Sequence, residues 1–188
     1  LARFACLYAG AIWGIFWIPV RAINDAGIHG LWSSAIWFAV PTALLLPLVI
    51  LRFKSIKAGG LSLQITALLS GVALLCYTLA FLYTDVVRAM LLYYLTPVWS
   101  TLLAAAILRE SITWQRIVAI ILAIIGMLVI FGLGLNFPVP RNIGDWLGIL
   151  SGFVWAIAIV RIRKYEIHLH IVHVDVQKIY ALSQKGLR

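Results

Sequence analysis

Acidic residues are scarce in this chain, and charged residues of either sign are few. Asp and Glu number 6 among 188 residues, Lys and Arg number 15, and charged residues make up 11% of the total. By contrast, 64% of the residues are hydrophobic. So little polar material cannot cover the surface of a water-soluble globule of this size. The sequence therefore excludes a soluble domain and predicts a protein solvated by the lipid bilayer.

The excess of basic residues does not indicate nucleic-acid binding. The formal net charge is +9, but Lys and Arg occur in short clusters between apolar runs and form no continuous basic face. We interpret the clusters as signals of membrane topology, and we predict no nucleic-acid partner.

Cysteine and catalytic motifs are also nearly absent. Cys6 and Cys76 lie in separate apolar runs, which is neither a disulfide framework nor metal-ligand spacing. The sequence has no P-loop, no G-x-S-x-G and no H-E-x-x-H motif. His168, His170 and His173 lack an acidic or cysteine partner at a defined spacing. We therefore predict no enzyme, no cofactor and no metal site.

Long apolar runs are what the sequence does contain. Between residues 90 and 132, two such runs are joined by the charged connector RESITWQR. A hydrocarbon core of about 30 Å needs about 20 apolar residues rising 1.5 Å each, so this stretch predicts a transmembrane hairpin. Further spans are predicted over residues 4–20, 31–51, 61–83 and 146–160. The predicted fold class is an all-α polytopic membrane bundle of about six transmembrane helices.

The distribution of Lys and Arg near the span ends predicts the orientation. One side collects Arg3, Arg52, Lys54, Lys57, Arg109, Arg116, Arg161, Arg163 and Lys164, whereas the other collects Arg21, Arg88 and Arg141. Because cytoplasmic loops carry the excess of basic residues, we predict a cytoplasmic N-terminus.

Five positions of the hairpin form a loose pattern of proline, acid, glutamine and glycine. They are Pro97, Glu110, Gln115, Gly126 and Gly132. The hairpin thereby resembles the end of an EamA-type repeat of the drug/metabolite transporter superfamily. The resemblance implies ten helices in two five-helix repeats, a bacterial inner membrane, and transport of small metabolites or drugs by alternating access.

The end of the chain repeats its beginning. An alignment of Gly10 with Gly152 also aligns Trp13 with Trp155 and Arg21 with Arg163. Five spans separate the copies, so the second copy starts on the opposite side of the membrane. This pattern predicts a partial inverted-topology repeat.

The predicted organisation follows from this repeat. We expect a first five-helix repeat over residues 1–133, an external loop over 134–144 and the first helix of a second repeat over 145–164. Residues 165–188 contain no further apolar run and are predicted to form a polar, irregular cytoplasmic tail. We expect the second repeat to be truncated, so that transport would need a second copy of the chain or a missing second half.

Aromatic residues on three spans are the candidate lining of a substrate cavity. The candidates are Trp13, Trp17, Tyr77, Tyr93 and Tyr94, together with Pro97. A cavity lined by aromatic and small residues suits a small-molecule solute. The alternative is that these rings pack in the core or belong to the interfacial aromatic belt.

Other residues are predicted to have structural roles. Gly10 and Gly14 form a G-x-x-x-G pair that could let another helix approach closely. Glu110 is interpreted as a cap or loop brace rather than a proton-coupling acid. Arg88 and Asp85 are interpreted as a solvated ion pair. Asp145 is predicted to be the N-cap or a first-turn acid of the sixth span.

These patterns predict an integral membrane transporter of permease or efflux type. The alternative, which we keep open, is a non-transporting accessory subunit or an inactive truncated remnant of such a transporter.

Overall fold

The computed structural model describes residues 2–131 and 140–185. These ranges contain nine helices and no strand: α1 Ala2–Ile15, α2 Trp17–Asp25, α3 Leu31–Leu51, α4 Phe53–Ala58, α5 Gly60–Tyr83, α6 Val86–Tyr93, α7 Thr96–Leu108, α8 Trp114–Phe131 and α9 Ile143–Lys185. The prediction of an all-α bundle is confirmed.

Six stretches of the described ranges are long and apolar enough to cross a membrane. They are Cys6–Asp25, Leu31–Leu51, Gly60–Tyr83, Val86–Leu108, Trp114–Phe131 and Ile143–Tyr165. Their number and order agree with the predicted spans. The first stretch extends further than the predicted range 4–20, because α2 continues to Asp25.

Helix α9 differs from the prediction at its C-terminal side. The helix continues to Lys185, whereas an irregular tail was predicted from residue 165 onwards. No glycine or proline occurs between Phe153 and Lys185, so no residue of this segment breaks the backbone hydrogen-bond ladder. Of the external loop predicted over residues 134–144, the part 134–139 lies outside the described residues, and α9 already begins at Ile143. The side chains of the three histidines also lie outside the described residues.

Helices α5 and α9 form the centre of the bundle. Of their membrane-spanning windows, 39% and 44% are buried, against 6% for α3 and 6% for α8. Helix α9 packs along α5 and also contacts α6 and α7. The peripheral α3 and α8 therefore present most of their apolar side chains to lipid.

A stripe of glycines allows α9 to approach its neighbours closely. A β-carbon added at Gly144 would lie 2.7 Å from the backbone nitrogen of Thr84, and one at Gly152 would lie 2.8 Å from the carbonyl oxygen of Tyr93. Gly148 lies between them on the same face, where an added β-carbon would be 3.3 Å from the carbonyl oxygen of Ala89. Small residues at this spacing let helix backbones meet within a membrane.

The predicted close approach at Gly10 and Gly14 is not seen among the described residues. A β-carbon added at either position would have no described atom within 4 Å. The close packing thus lies on α9, the counterpart of α1 in the proposed repeat.

Candidate functional site

The fourth span is interrupted where it passes the centre of the bundle. Helix α6 ends at Tyr93 and α7 begins at Thr96. Pro97 has no N–H to donate to the carbonyl group of Tyr93, four residues earlier. The hydroxyl of Thr96 donates to that carbonyl oxygen instead, at 2.5 Å. A side chain thus satisfies a backbone acceptor that the proline leaves without its helical donor.

The first span also loses a helical hydrogen bond at a proline, although Phe16 keeps helical backbone angles of φ −64° and ψ −24°. Helix α1 ends at Ile15 and α2 begins at Trp17, and Pro19 cannot donate to the carbonyl group of Ile15. Phe16, at the interruption, is 5% exposed and points into the core.

Both interruptions face one aromatic cluster, which we call the Tyr77 cluster. Its members are Trp13, Phe16, Tyr77, Phe81, Tyr93 and Tyr94. The ring centroid of Tyr77 lies 4.4 Å from that of Tyr93 and 4.6 Å from that of Phe81. Trp13 stacks on Tyr77 with an interplanar angle of 10° and a centroid distance of 5.8 Å. These separations are favourable for aromatic pairs.

The hydroxyl group of Tyr77 is the polar centre of this cluster. Tyr77 is 1% exposed, and its hydroxyl oxygen is buried with no hydrogen-bond partner among the described residues. A buried hydroxyl without a partner costs about 1–3 kcal/mol. Trp13 and Tyr94, at the edges of the cluster, are 38% and 55% exposed. The cluster therefore combines partly exposed aromatic rings at its edges with a buried hydroxyl that has no hydrogen-bond partner among the described residues.

The structure brings together four of the six predicted lining residues. Trp13, Tyr77, Tyr93 and Tyr94 belong to the Tyr77 cluster. Trp17 packs against the same buried core, but its ring lies 6.0 Å from the guanidinium carbon of Arg21, and it lines a different cavity of about 740 Å³. Pro97 lies with Tyr94 along two cavities beside α8.

One end of the bundle, which we call the Asp145 end, is joined by a buried ion pair. The Nε atom of Arg88 lies 2.7 Å from Oδ2 of Asp145, and the two side chains are 11% and 0% exposed. The prediction that Arg88 forms a solvated pair with Asp85 is therefore wrong. A carboxylate within a membrane span is costly unless it is paired, and Arg88 supplies the charge that Asp145 needs.

Hydrogen bonds surround this ion pair. The hydroxyl of Thr84 donates to Asp145 at 2.7 Å, and the backbone N–H of Arg141 donates to the same carboxylate at 2.9 Å. The side chain of Asn142 accepts a bond from the backbone N–H of Asp145 at 2.8 Å, as an N-cap does. Asp145 lies in the first turn of α9, as predicted.

Arg21 connects the first span to the same end. Its guanidinium group donates to the carbonyl oxygens of Phe81 at 3.0 Å and of Thr84 at 2.9 Å. These carbonyl groups close α5, so a cation there also interacts favourably with the helix dipole. The C-terminus of the first span and the N-terminus of α9 therefore meet at one end.

The opposite end, which we call the Glu110 end, is more open. The carboxylate of Glu110 lies 3.2 Å from Arg163 and 3.8 Å from Arg116, and its side chain is 25% exposed. Arg161 donates to the hydroxyl of Thr66 at 3.3 Å. Glu110 thus links the end of α7 to the start of α8 and to the middle of α9, as expected of a brace, although its role stays a prediction.

Sequence reasoning missed the Arg88–Asp145 pair, although it placed both residues on the same side of the membrane. The alternation of spans assigns a residue to one end of the bundle but does not choose its partner there. The sequence did contain a signal for this pair. An ionisable group inside a span is costly unless an opposite charge lies at the same depth.

The remaining predicted positions have few contacts. Gln115 is exposed and Trp155 is half-buried, and a β-carbon added at Gly126 would have no described atom within 4 Å. Gly132 lies outside the described residues.

Comparisons with known proteins agree with this architecture. The model of the EamA-like transporter family matches residues 1–132. The chain is also 27% identical over 172 residues to the "Uncharacterized transporter YoaV" of Bacillus subtilis (strain 168), which covers 87% of this chain. The chain spans 58% of the length of that relative. No solved structure matches the chain.

Proposed function

Because the chain belongs to the EamA-like transporter family, we propose that it forms part of a transporter that moves small metabolites or drugs by alternating access. One observation carries this proposal. Two interrupted spans meet at the Tyr77 cluster, where a buried hydroxyl has no partner among the described residues. In secondary transporters, discontinuous helices border the substrate site near the membrane midplane.

The chemistry of the cluster favours one kind of cargo. All members are aromatic, and the polar groups they offer are the hydroxyls of three tyrosines and the indole N–H of Trp13. Aromatic faces bind flat apolar groups, and a hydroxyl fixes the orientation of a polar group. We propose that the cargo is a small solute with a planar or apolar body and a hydrogen-bonding group near it.

The two ends of the bundle would act as the gates of this transporter. Alternating access requires that one end be closed while the other opens. The Asp145 end is joined by a buried ion pair at 2.7 Å, and the Glu110 end by longer and more exposed pairs. We propose that this conformation is closed at the Asp145 end, which the excess of basic residues assigns to the outside of a bacterial inner membrane.

The chain would share the transport cycle with further helices. In the proposed arrangement, α9 begins a second, inverted repeat, and the remaining spans of that repeat complete the transporter. The match to the relative from Bacillus subtilis covers 87% of this chain but 58% of the relative, which is therefore longer. The greater length of the relative supports the proposal of further helices.

Reconstitution separates a transporter from a non-transporting subunit or remnant. The purified chain would be placed in liposomes with a panel of radiolabelled amino acids and one fluorescent drug, and gradient-dependent uptake would be measured. Uptake by the chain alone would contradict the non-transporting alternative. Uptake that occurs only when further spans are co-reconstituted would support the alternative that the chain by itself does not transport.

Two tyrosine variants then test the site in whichever preparation transports. Tyr77→Phe removes the buried hydroxyl, and Tyr83→Phe removes a hydroxyl from a residue of the same helix that is 49% exposed. We expect Tyr77→Phe to slow uptake about tenfold or more, with unchanged or higher thermal stability, because an unpartnered polar group is removed. Equal uptake by the two variants would contradict a substrate site at Tyr77.

A further inference from the structure

Helix α8 is attached to the bundle less closely than its neighbours. Among its residues none is buried, and 6% of its membrane-spanning window is buried. Small residues, including Ala119, Ala123 and Gly126, lie on the side that faces α7. Such residues allow helices to approach closely, and yet two cavities of about 380 and 370 Å³ separate α8 from the bundle.

The two cavities form one elongated groove, which we call the α8 cleft. They share Tyr94, Pro97, Val98 and Ala123. The first reaches Arg116 near the start of α8, and the second reaches Ile130 near its end. At 1.5 Å per residue the distance between these positions is about 21 Å. The cleft therefore extends over about two-thirds of the thickness of a hydrocarbon core of about 30 Å.

The walls of the cleft are apolar along its length. Apart from its mouth they consist mainly of aliphatic and small side chains, and the hydroxyl of Ser100 is already bonded to the carbonyl oxygen of Pro97 at 3.2 Å. In a bilayer, apolar surface beside a helix is filled by lipid chains, because helices gain no hydrophobic advantage by excluding them. An acyl chain thus matches the walls.

The mouth of the cleft carries two arginines. Arg116 and Arg163 line the cavity at the Glu110 end and share one carboxylate, that of Glu110, at 3.8 and 3.2 Å. One positive charge remains on these three side chains. Both arginines lie within the first or last turns of membrane-spanning stretches, at the depth of lipid head groups. Guanidinium groups bind phosphate through two parallel hydrogen bonds.

We propose that the α8 cleft binds an anionic phospholipid, with one acyl chain between α8 and α7 and the head-group phosphate at Arg116 and Arg163. The combination of a long apolar groove with a cationic mouth is the observation that carries the proposal. Basic pockets between transmembrane helices bind anionic lipid head groups in this manner. The cleft adjoins the Tyr77 cluster at Tyr94, which lines both cavities, but lipid binding there does not depend on transport.

Native mass spectrometry of the delipidated protein in detergent tests the proposal. The probes are palmitoyl-oleoyl phosphatidylglycerol, phosphatidylcholine with the same chains, and glycerol phosphate. We expect half-saturation by phosphatidylglycerol at a concentration about tenfold lower than by phosphatidylcholine, and no competition from glycerol phosphate at similar concentration. Equal binding of the two lipids, or equal competition by glycerol phosphate, would overturn the proposal.

Two sets of variants locate the bound lipid. Arg116→Gln with Arg163→Gln should abolish the preference for phosphatidylglycerol, whereas Arg52→Gln with Lys54→Gln, which removes as many charges outside the cleft, should leave it unchanged. Ala123→Phe fills the shared part of the groove and should weaken binding of both lipids about tenfold. Ile121→Phe, at a residue that is 48% exposed, is its control.

Circular dichroism would reveal a variant that does not fold. If one set of variants is lost in this way, the other set still tests the proposal. Equal effects of the two double variants would show that phosphatidylglycerol responds only to overall charge, and unchanged binding by Ala123→Phe would show that no chain enters the groove. Either result contradicts the proposal.

Discussion

The two ends of the bundle hold α9 by different means. At the Asp145 end, a carboxylate that is 0% exposed receives bonds from Arg88, Thr84 and the backbone of Arg141, all within 2.9 Å. At the Glu110 end, the carboxylate of Glu110, whose side chain is 25% exposed, lies 3.2 Å from Arg163 and 3.8 Å from Arg116. The same kind of ion pair is thus built into the core at one end and lies in partial contact with solvent at the other.

The difference teaches which end can open at low cost. Removing one partner from a buried pair leaves an uncompensated charge and costs about 3–5 kcal/mol. An exposed pair contributes about 0–1 kcal/mol and weakens with salt. Helix α9 is therefore fixed at its N-terminal end and weakly held near Arg163. This asymmetry supports the proposed conformation that is closed at the Asp145 end.

The largest effect is expected from Asp145→Asn. The substitution keeps the shape of the side chain but removes the negative charge that lies 2.7 Å from the buried Nε atom of Arg88. We expect the free energy of unfolding to fall by about 3–5 kcal/mol, measured by SDS titration of the purified protein in detergent with far-UV circular dichroism. Asp85→Asn, at an exposed acid of the same end, should change it by less than about 0.5 kcal/mol. Similar losses in the two variants would remove the contrast between buried and exposed acids.

A smaller effect is expected where α9 meets the interrupted fourth span. Gly152→Ala would place a β-carbon 2.8 Å from the carbonyl oxygen of Tyr93 and 2.9 Å from the hydroxyl oxygen of Thr96. We expect overpacking to lower the free energy of unfolding by about 1–3 kcal/mol in the same titration. Gly126→Ala, in α8 with no described atom within 4 Å of the new carbon, should be neutral or stabilising by up to about 1 kcal/mol. A stable Gly152→Ala protein would contradict the close contact.

The smallest effect is expected at the Glu110 end. Glu110→Gln should lower the free energy of unfolding by no more than about 1 kcal/mol, and the difference from the unsubstituted protein should shrink as salt is raised. The titration is repeated in low and high sodium chloride. A loss as large as that of Asp145→Asn, or one that salt does not change, would show that the two ends are held alike.

Much of the fold could be predicted from the sequence because a bilayer imposes a simple rule. The spans over residues 31–51 and 61–83 were predicted within a residue of the observed α3 and α5, since an apolar run of this length has few alternatives to a transmembrane helix. The family resemblance of the hairpin at Pro97 and Glu110 is also confirmed by the family match.

The site was less predictable, for physical reasons that particular residues show. Pro97 was recognised, but a proline alone does not reveal whether a helix bends or separates into α6 and α7. Tyr77 and Tyr93 were selected as aromatic residues, but their contact depends on how two helices rotate about their axes. The partner of Arg88 was missed because Asp85 and Asp145 lie at the same predicted depth, and only packing chooses between them.

Labelling of single cysteines tests the account most directly, because the account requires the Asp145 end and the Glu110 end to face opposite sides of the membrane. Cys6 and Cys76 would be replaced by serine, and one cysteine introduced at Asn24 or at Ser111, beside the respective ends. A membrane-impermeant maleimide applied to intact cells should label the cysteine at position 24, and it should label the cysteine at position 111 only in inverted vesicles. Labelling of both positions from the same side would contradict the six-span bundle and the opposed ends on which the proposed gates depend.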